Sequence, residues 1–299
     1  MYLKQRRSST DPRLRSLLQK AVRRGYVDVV NLTAHRLYQL GDRIWLRSRA
    51  AVITFEEAWP LAEMLLIERG EKSTIDALVN ATTGTKQKDA AGLGALAYAY
   101  HEGDRSMEQT INQTWPIRVV SQALDRPQQF FEWAFSHCQD DRQRAVVLAA
   151  KKYLAAATWG WDKACILAGA FLASSSGVPS LTRYYSQPKD EFPYWIALDK
   201  HTPEGKKAFH AVADRLSLPY RQIIWAGFYC ESAITDSMVK SLWWEAEKSW
   251  RLAKVGLSPE TAAALWHSVC PMLREQITSQ EANLRTLLQA TQASQQELL

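Results

Sequence analysis

Residues 11–25 read DPRLRSLLQKAVRRG, and the way this stretch folds sets the class of the whole chain. Asp11 is of a type that caps helices, and Pro12 suits the first helical position because its missing N–H would have no partner there. Leu14, Leu17, Leu18, Ala21 and Val22 recur at i, i+3, i+4, i+7 and i+8, which is one apolar stripe of an α-helix. Arg13, Lys20 and Arg24 fall on a neighbouring face with Arg23 beside them, and Gly25 ends the helix. A second helix is expected from about Asp28 to Leu40, with a turn at Gly41-Asp42. A third runs from Arg43 towards Trp59, where Pro60 stops it, with Trp45, Arg49, Val52, Ile53 and Glu56 at helical spacing.

The same pattern continues outward. Helices are expected at Leu61–Arg69, Thr74–Ala81, Lys86–His101, Met107–Ala123 (kinked at Pro116), Gln128–His137, Arg142–Thr158 and Trp161–Ala173. After a Ser-, Pro- and Tyr-rich crossing come Tyr194–Lys200, Glu204–Leu216, Tyr220–Ile234 and Asp236–Val255, then a last helix from Pro259 bent at Pro271. No stretch alternates at period two, and 13 glycines and 11 prolines in 299 residues are too few for a turn-rich β fold. The expected fold is all-α, a multi-helix globular array without significant sheet. Its expected organisation is a basic flexible arm at 1–10, a helical subdomain at 11–173, a crossing at 174–193, and a second helical subdomain with a polar tail at 194–299.

Charge is unevenly placed. Residues 1–49 hold twelve lysines and arginines against three aspartates, a net +9, while the remainder nets −3. A basic end on a slightly acidic body points to a polyanion partner, nucleic acid first. Arg6 and Arg7 on the arm and Arg13, Arg15, Lys20, Arg23 and Arg24 on the first helix are the candidate phosphate contacts. Four cysteines (Cys138, Cys165, Cys230, Cys270) lie far apart without a Cys-x-x-Cys pair, which suits buried thiols in a reducing compartment. The basic start leads into charged helix, so no signal peptide is expected, and Ala164–Ala173 is too short to span a bilayer. A cytoplasmic location without a membrane partner follows as the expectation.

Catalytic signatures are weak. There is no G-x-x-x-x-G-K-[ST] phosphate loop, no histidine pair at zinc-ligand spacing and no triad pattern, so no cofactor or metal is expected. Gly92-Leu93-Gly94 lacks the preceding strand that a dinucleotide fingerprint requires, and Ser237-x-x-Lys240 lacks its companion motifs. Glu56-Glu57 could do acid–base work if their pKa values were pushed apart; the simpler role is a structural ion pair between Arg49 and Glu56. Thr202 before Pro203 reads as a helix cap, and with Lys206 and Lys207 it forms a candidate anion site. Trp243, Trp244 and Trp250, interleaved with Lys240, Lys248, Arg251 and Lys254, suit either base stacking or a core stripe with snorkelling cations. Tyr184-Tyr185 with Arg183 and Lys189 are a second stacking candidate.

Two stretches carry a family likeness. Ser16–Gly25 (SLLQKAVRRG), followed by Trp45-Leu46-x-x-Arg49-x-x-Val52-Ile53-x-x-Glu56, resembles the C-terminal helical region of the replication-associated recombination protein A family, relatives of Werner-helicase-interacting ATPases. It also resembles small stand-alone forms in phages and mobile elements, and Asp199-x-His201-Thr202-x-x-Gly205 is similar to a late segment of those. Glu57 stands where the pattern has Asp, Ala58-Trp59-Pro60 replaces a glycine, and the ATPase domain is absent. The resemblance implies a clamp-loader-like collar, a homo-oligomer and a replication or recombination setting, and it brings no catalytic residues. The expected function is therefore a non-catalytic DNA-metabolism accessory protein, with DNA favoured over RNA and a replication or recombination protein as a further partner. Two alternatives stay open: an assembly module docking an acidic partner, and a helical enzyme using Glu56/Glu57 or Asp199/His201.

Overall fold

The computed structural model describes residues 11–67, 70–181, 188–231, 239 and 241–296, leaving aside the side chains of 71 and 289–296. The basic arm with Arg6 and Arg7, Arg183 to Tyr185 of the crossing, and Ser237 and Lys240 lie outside these residues. The described residues form thirteen α-helices: α1 Pro12–Arg24, α2 Val27–Gln39, α3 Arg43–Ala58, α4 Gly70–Thr83, α5 Asp89–His101, α6 Trp115–Asp125, α7 Pro127–His137, α8 Asp141–Leu154, α9 Gly160–Ser176, α10 Pro203–Leu216, α11 Tyr220–Glu231, α12 Leu242–Ala253 and α13 Pro259–Gln296. Tighter 3-10 turns occupy Trp59–Leu66, Ser106–Gln109 and Tyr194–Ala197. Among the described residues there is no strand, and Ala58 and Gln87 form an isolated bridge. The fold is all-α, and no described helix is long and apolar enough to cross a membrane.

Local chemistry places most of these boundaries. The Asp11 side chain accepts the Arg13 N–H at the start of α1, and Asp140 and Gln143 form a reciprocal capping box on α8. Three expectations are corrected. The chain after α3 is a 3-10 turn, not an α-helix, because Pro60 has no N–H and its ring obstructs the preceding turn. Met107–Ala123 is two elements: Pro116 lies in the first turn of α6 and opens it, where proline costs nothing, instead of kinking a longer helix. Lys86–Lys88 precede α5 as an extended bridge: Gln87 N–H donates to Glu57 O at 2.8 Å, and Lys86 O accepts Val239 N–H at 2.9 Å.

Packing divides the interior into two cores. One is built on α5 and α9 with α6, α7, α8 and α12, and takes Val52, Phe55 and Trp59. At Gly94 a Cβ would lie 2.6 Å from the Cys165 backbone, so these two helices approach as closely as backbones allow. The other core joins α1, α2, α4, α10 and α13 and takes Leu46, Ala50 and Ile53 from the opposite side of α3. Each core draws residues from before and after the 174–193 crossing. α3 lies between them, and the charged residues of α1 and α3 meet along the boundary.

Candidate nucleic-acid interface

The described cations of α1 do not form an open basic face. Lys20 is 7% exposed and Arg23 4% exposed. Arg13 pairs with Asp11 and lies 3.5 Å from Glu204. Arg15 holds Asp42 through Nε at 2.9 Å and Nη2 at 2.8 Å, with its guanidinium 4.7 Å from the Trp45 ring centroid. Lys20 Nζ donates to Glu231 Oε2 at 2.5 Å and lies 3.7 Å from Asp199. Arg23 Nε donates to Glu57 Oε1 at 2.7 Å, while Arg24 Nη2 reaches both Glu231 Oε1 at 3.1 Å and its carbonyl at 2.6 Å. Arg13, Arg15, Lys20, Arg23 and Arg24, the expected outward phosphate contacts, thus each stand against a carboxylate of the chain itself. The carboxylates are those of Asp11, Asp42, Glu57, Asp199, Glu204 and Glu231.

Glu56 and Glu57 anchor the centre of this seam. Glu57 is fully buried, and Lys88 Nζ stands 3.5 Å from its second oxygen. Burial alone would raise the Glu57 carboxyl, but Arg23 and Lys88 outweigh it and hold the pKa at about 2. Glu56 shifts the other way, because burial dominates there and raises it. Its Oε2 accepts from Gln19 Nε2 at 2.8 Å. The expected pair of Arg49 and Glu56 meets at 3.5 Å, but the shorter bonds of Arg49, at 3.0 Å, go to both oxygens of Asp162. Opposed shifts are what an acid–base pair needs, yet neither cavity described for this molecule is lined by Glu56 or Glu57. Lys86 caps the C-terminal end of α4 through the Ala81 and Thr82 carbonyls. Burial pushes Lys86 and Lys88 down to about 8.

The segment 199–207 is organised by its own caps. Thr202 Oγ1 accepts the Gly205 N–H at 3.1 Å and donates to Asp199 O at 3.0 Å. Asp199 accepts the His201 N–H at 2.9 Å; burial opposes its charge, but the bond from His201 and the charge of Lys20 hold its carboxyl well below the usual range. A Cβ at Gly205 would sit 1.9 Å from Asp199 O, so only glycine lets this loop fold onto α10. Thr202 is fully buried, and at this helix start it spends its hydroxyl inside the chain; Lys206 and Lys207 are exposed beside it. The two stretches singled out in the sequence thus meet at the contact of Lys20 with Asp199. Trp244 and Trp250 are buried, and Arg251 lies 4.7–5.0 Å from the rings of Trp161, Trp225 and Trp250. Trp244 and Trp250 belong to the core built on α5 and α9.

The open basic surface of the described N-terminal segment lies elsewhere, at the start of α3. Arg43 and Arg47 are exposed one turn apart, and Ile44 between them is 76% exposed. Neither arginine has a carboxylate partner among the described residues; Arg43 rests 4.1 Å from the Tyr38 ring centroid. They rim a cleft of about 320 Å³ between α3 and α4, floored by Leu46, Ala50 and Leu65 and edged by Tyr38, Ser73, Thr74 and Tyr153. No described Asp or Glu lines it. Arg43, Leu46, Arg47 and Ala50 recur at i, i+3, i+4 and i+7, so they share one side of α3, a signal present in the sequence. Among the described residues, no group of three or more His, Cys, Asp or Glu side chains is placed to hold a metal ion. No family model, curated protein or solved structure matches the chain.

Proposed function

We propose that this protein is a non-catalytic accessory factor of DNA metabolism that holds nucleic-acid phosphates at the α3 cleft. The observation that carries this is the pair Arg43 and Arg47: exposed, without carboxylate partners among the described residues, and set at the mouth of a cleft without described acids. Guanidinium groups bind phosphate oxygens through a planar fork of donors, which gives affinity without reading sequence. The likeness of Ser16–Gly25 and Trp45–Glu56 to the collar region of the replication-associated recombination protein A family supports the DNA setting and a homo-oligomeric form. Arg6 and Arg7 precede Asp11 in sequence and would add to the same electrostatic attraction.

Fluorescence anisotropy with a labelled single-stranded oligonucleotide across a salt series tests this. The affinity should fall steeply with salt. Arg43→Glu with Arg47→Glu should lower the log–log slope by about 1.4, which is about 0.7 for each of the two phosphates no longer held. Salt-independent binding, or an unchanged slope in the folded double variant, would refute it. The exposure of Ile44 beside the two arginines favours one second reading, docking of an acidic protein segment. Retention of a partner protein by the chain with no retention on immobilised DNA would decide for it.

A further inference from the structure

The cleft at α3 has more structure than phosphate attraction alone requires. Its rim is cationic and hydroxylic, through Arg43, Arg47, Ser73 and Thr74, while its floor of Leu46, Ala50 and Leu65 is apolar and buried. Two tyrosines stand at its edges. Tyr153 spends its hydroxyl on Leu65 O at 3.2 Å, so its polar end already has a partner. A flat backbone-tracking groove would need the cations but not the floor. At about 320 Å³ the cleft is at the small end of ligand-sized pockets. That volume is well below what a duplex, or two turns of a helix roughly 10 Å across, would fill. A flat group with apolar faces, hydrogen-bonding edges and an attached anion matches both its size and its polarity.

We infer that the α3 cleft seats one unpaired nucleotide, its phosphate on Arg43 and Arg47 and its base on the Leu46–Ala50–Leu65 floor. This rests on the proposed nucleic-acid function and deepens it, because a base can enter only when it is outside a duplex stack. Bases of single strands are held in this way on apolar, aromatic and guanidinium surfaces.

The test uses the full chain and two fluorescent DNA probes of equal length and charge. One is fully paired, and the other carries a single unpaired 2-aminopurine. Wild type should favour the unpaired probe about tenfold, the equivalent of one stacked base, with a change in 2-aminopurine emission. Ser73→Trp fills the cleft from its outer wall and leaves both arginines in place. It should equalise the two probes while keeping the salt dependence. Thr74→Phe does the same from the next position if Ser73→Trp fails to fold. Equal binding of both probes by wild type overturns the inference and leaves the phosphate-binding function standing, whereas failure to bind either probe or a single strand of the same length removes both. A preference that survives a folded cleft-filling variant also overturns it. So does competition by a polyglutamate peptide with no preference between the probes, since that would place an acidic side chain in the cleft.

Discussion

Glu57→Gln isolates what the charged seam contributes to stability. Glu57 is fully buried between Arg23, bonded at 2.7 Å, and Lys88, at 3.5 Å. Its carboxyl is held at about 2 against an ordinary 4.5, a difference worth about 3 kcal/mol. Deleting one member of a buried pair costs about 3–5 kcal/mol by a separate route, since it strands the remaining cations. The two agree, and they amount to a large share of the roughly 5–15 kcal/mol that holds a domain together. The folded pKa is depressed, so the contribution is complete above the unfolded value of 4.5 and is lost as pH falls towards 2. Urea unfolding followed by tryptophan fluorescence should therefore show a gap of about 3 kcal/mol between wild type and variant at pH 7. The gap should be about 1 kcal/mol smaller at pH 4 and about 2 kcal/mol smaller at pH 3. A gap below about 1 kcal/mol at pH 7, or one that does not narrow with acid, would show that the seam is not held by Glu57.

Glu56→Gln should behave in the opposite sense although it is the next residue. Burial raises the Glu56 carboxyl, so its ionised form costs stability at neutral pH, and glutamine can still accept from Gln19; the variant should match or exceed wild type at pH 7 in the same urea series, and a loss like that of Glu57→Gln would contradict the assignment. Lys88→Met should stabilise the protein at pH 7 by up to about 3 kcal/mol, because burial holds the ammonium at about 8 instead of 10.5. That gain should shrink between pH 8 and 10.5, where wild-type Lys88 is already neutral when folded but still binds a proton when unfolded. Thermal shifts at pH 7 and pH 10 measure it, and a destabilised Lys88→Met at pH 7 would refute the sign.

The helices were legible because their signals are local. Asp11-Pro12, the five-residue stripe of α1 and Gly25 all lie within one stretch, and each acts on its immediate neighbours. The fate of the α1 charges was not legible for the same reason. Glu57, Asp199, Glu204 and Glu231 come from 34 to 211 residues away from their partners in α1. Helical periodicity fixes which face a lysine occupies but not what lies across from it. One hint was present: two adjacent glutamates between Ile53 and Trp59 need buried cations, and α1 carries five. The cleft was hidden differently. Its floor comes from α3 and the 3-10 turn, its wall from α4 and α8, and no one segment records the space between them.

The net charge of +6 also bears on the place proposed for an anionic partner. Pairing inside the seam moves no charge and only cancels it locally, so the excess must reside on groups outside the pairs. Had α1 been an open face, the excess would have been spread along one helix and suited to a smooth polyanion. With α1 turned inward, Arg43 and Arg47 become a small paired charge beside an apolar floor. An anion attracted there meets a shaped boundary within one turn of helix, and shape is what separates a nucleotide from a phosphate. The internal neutralisation of α1 thus argues for local recognition over a long electrostatic track. It also explains why the same arginine-rich sequence can read as a binding surface and fold as a core.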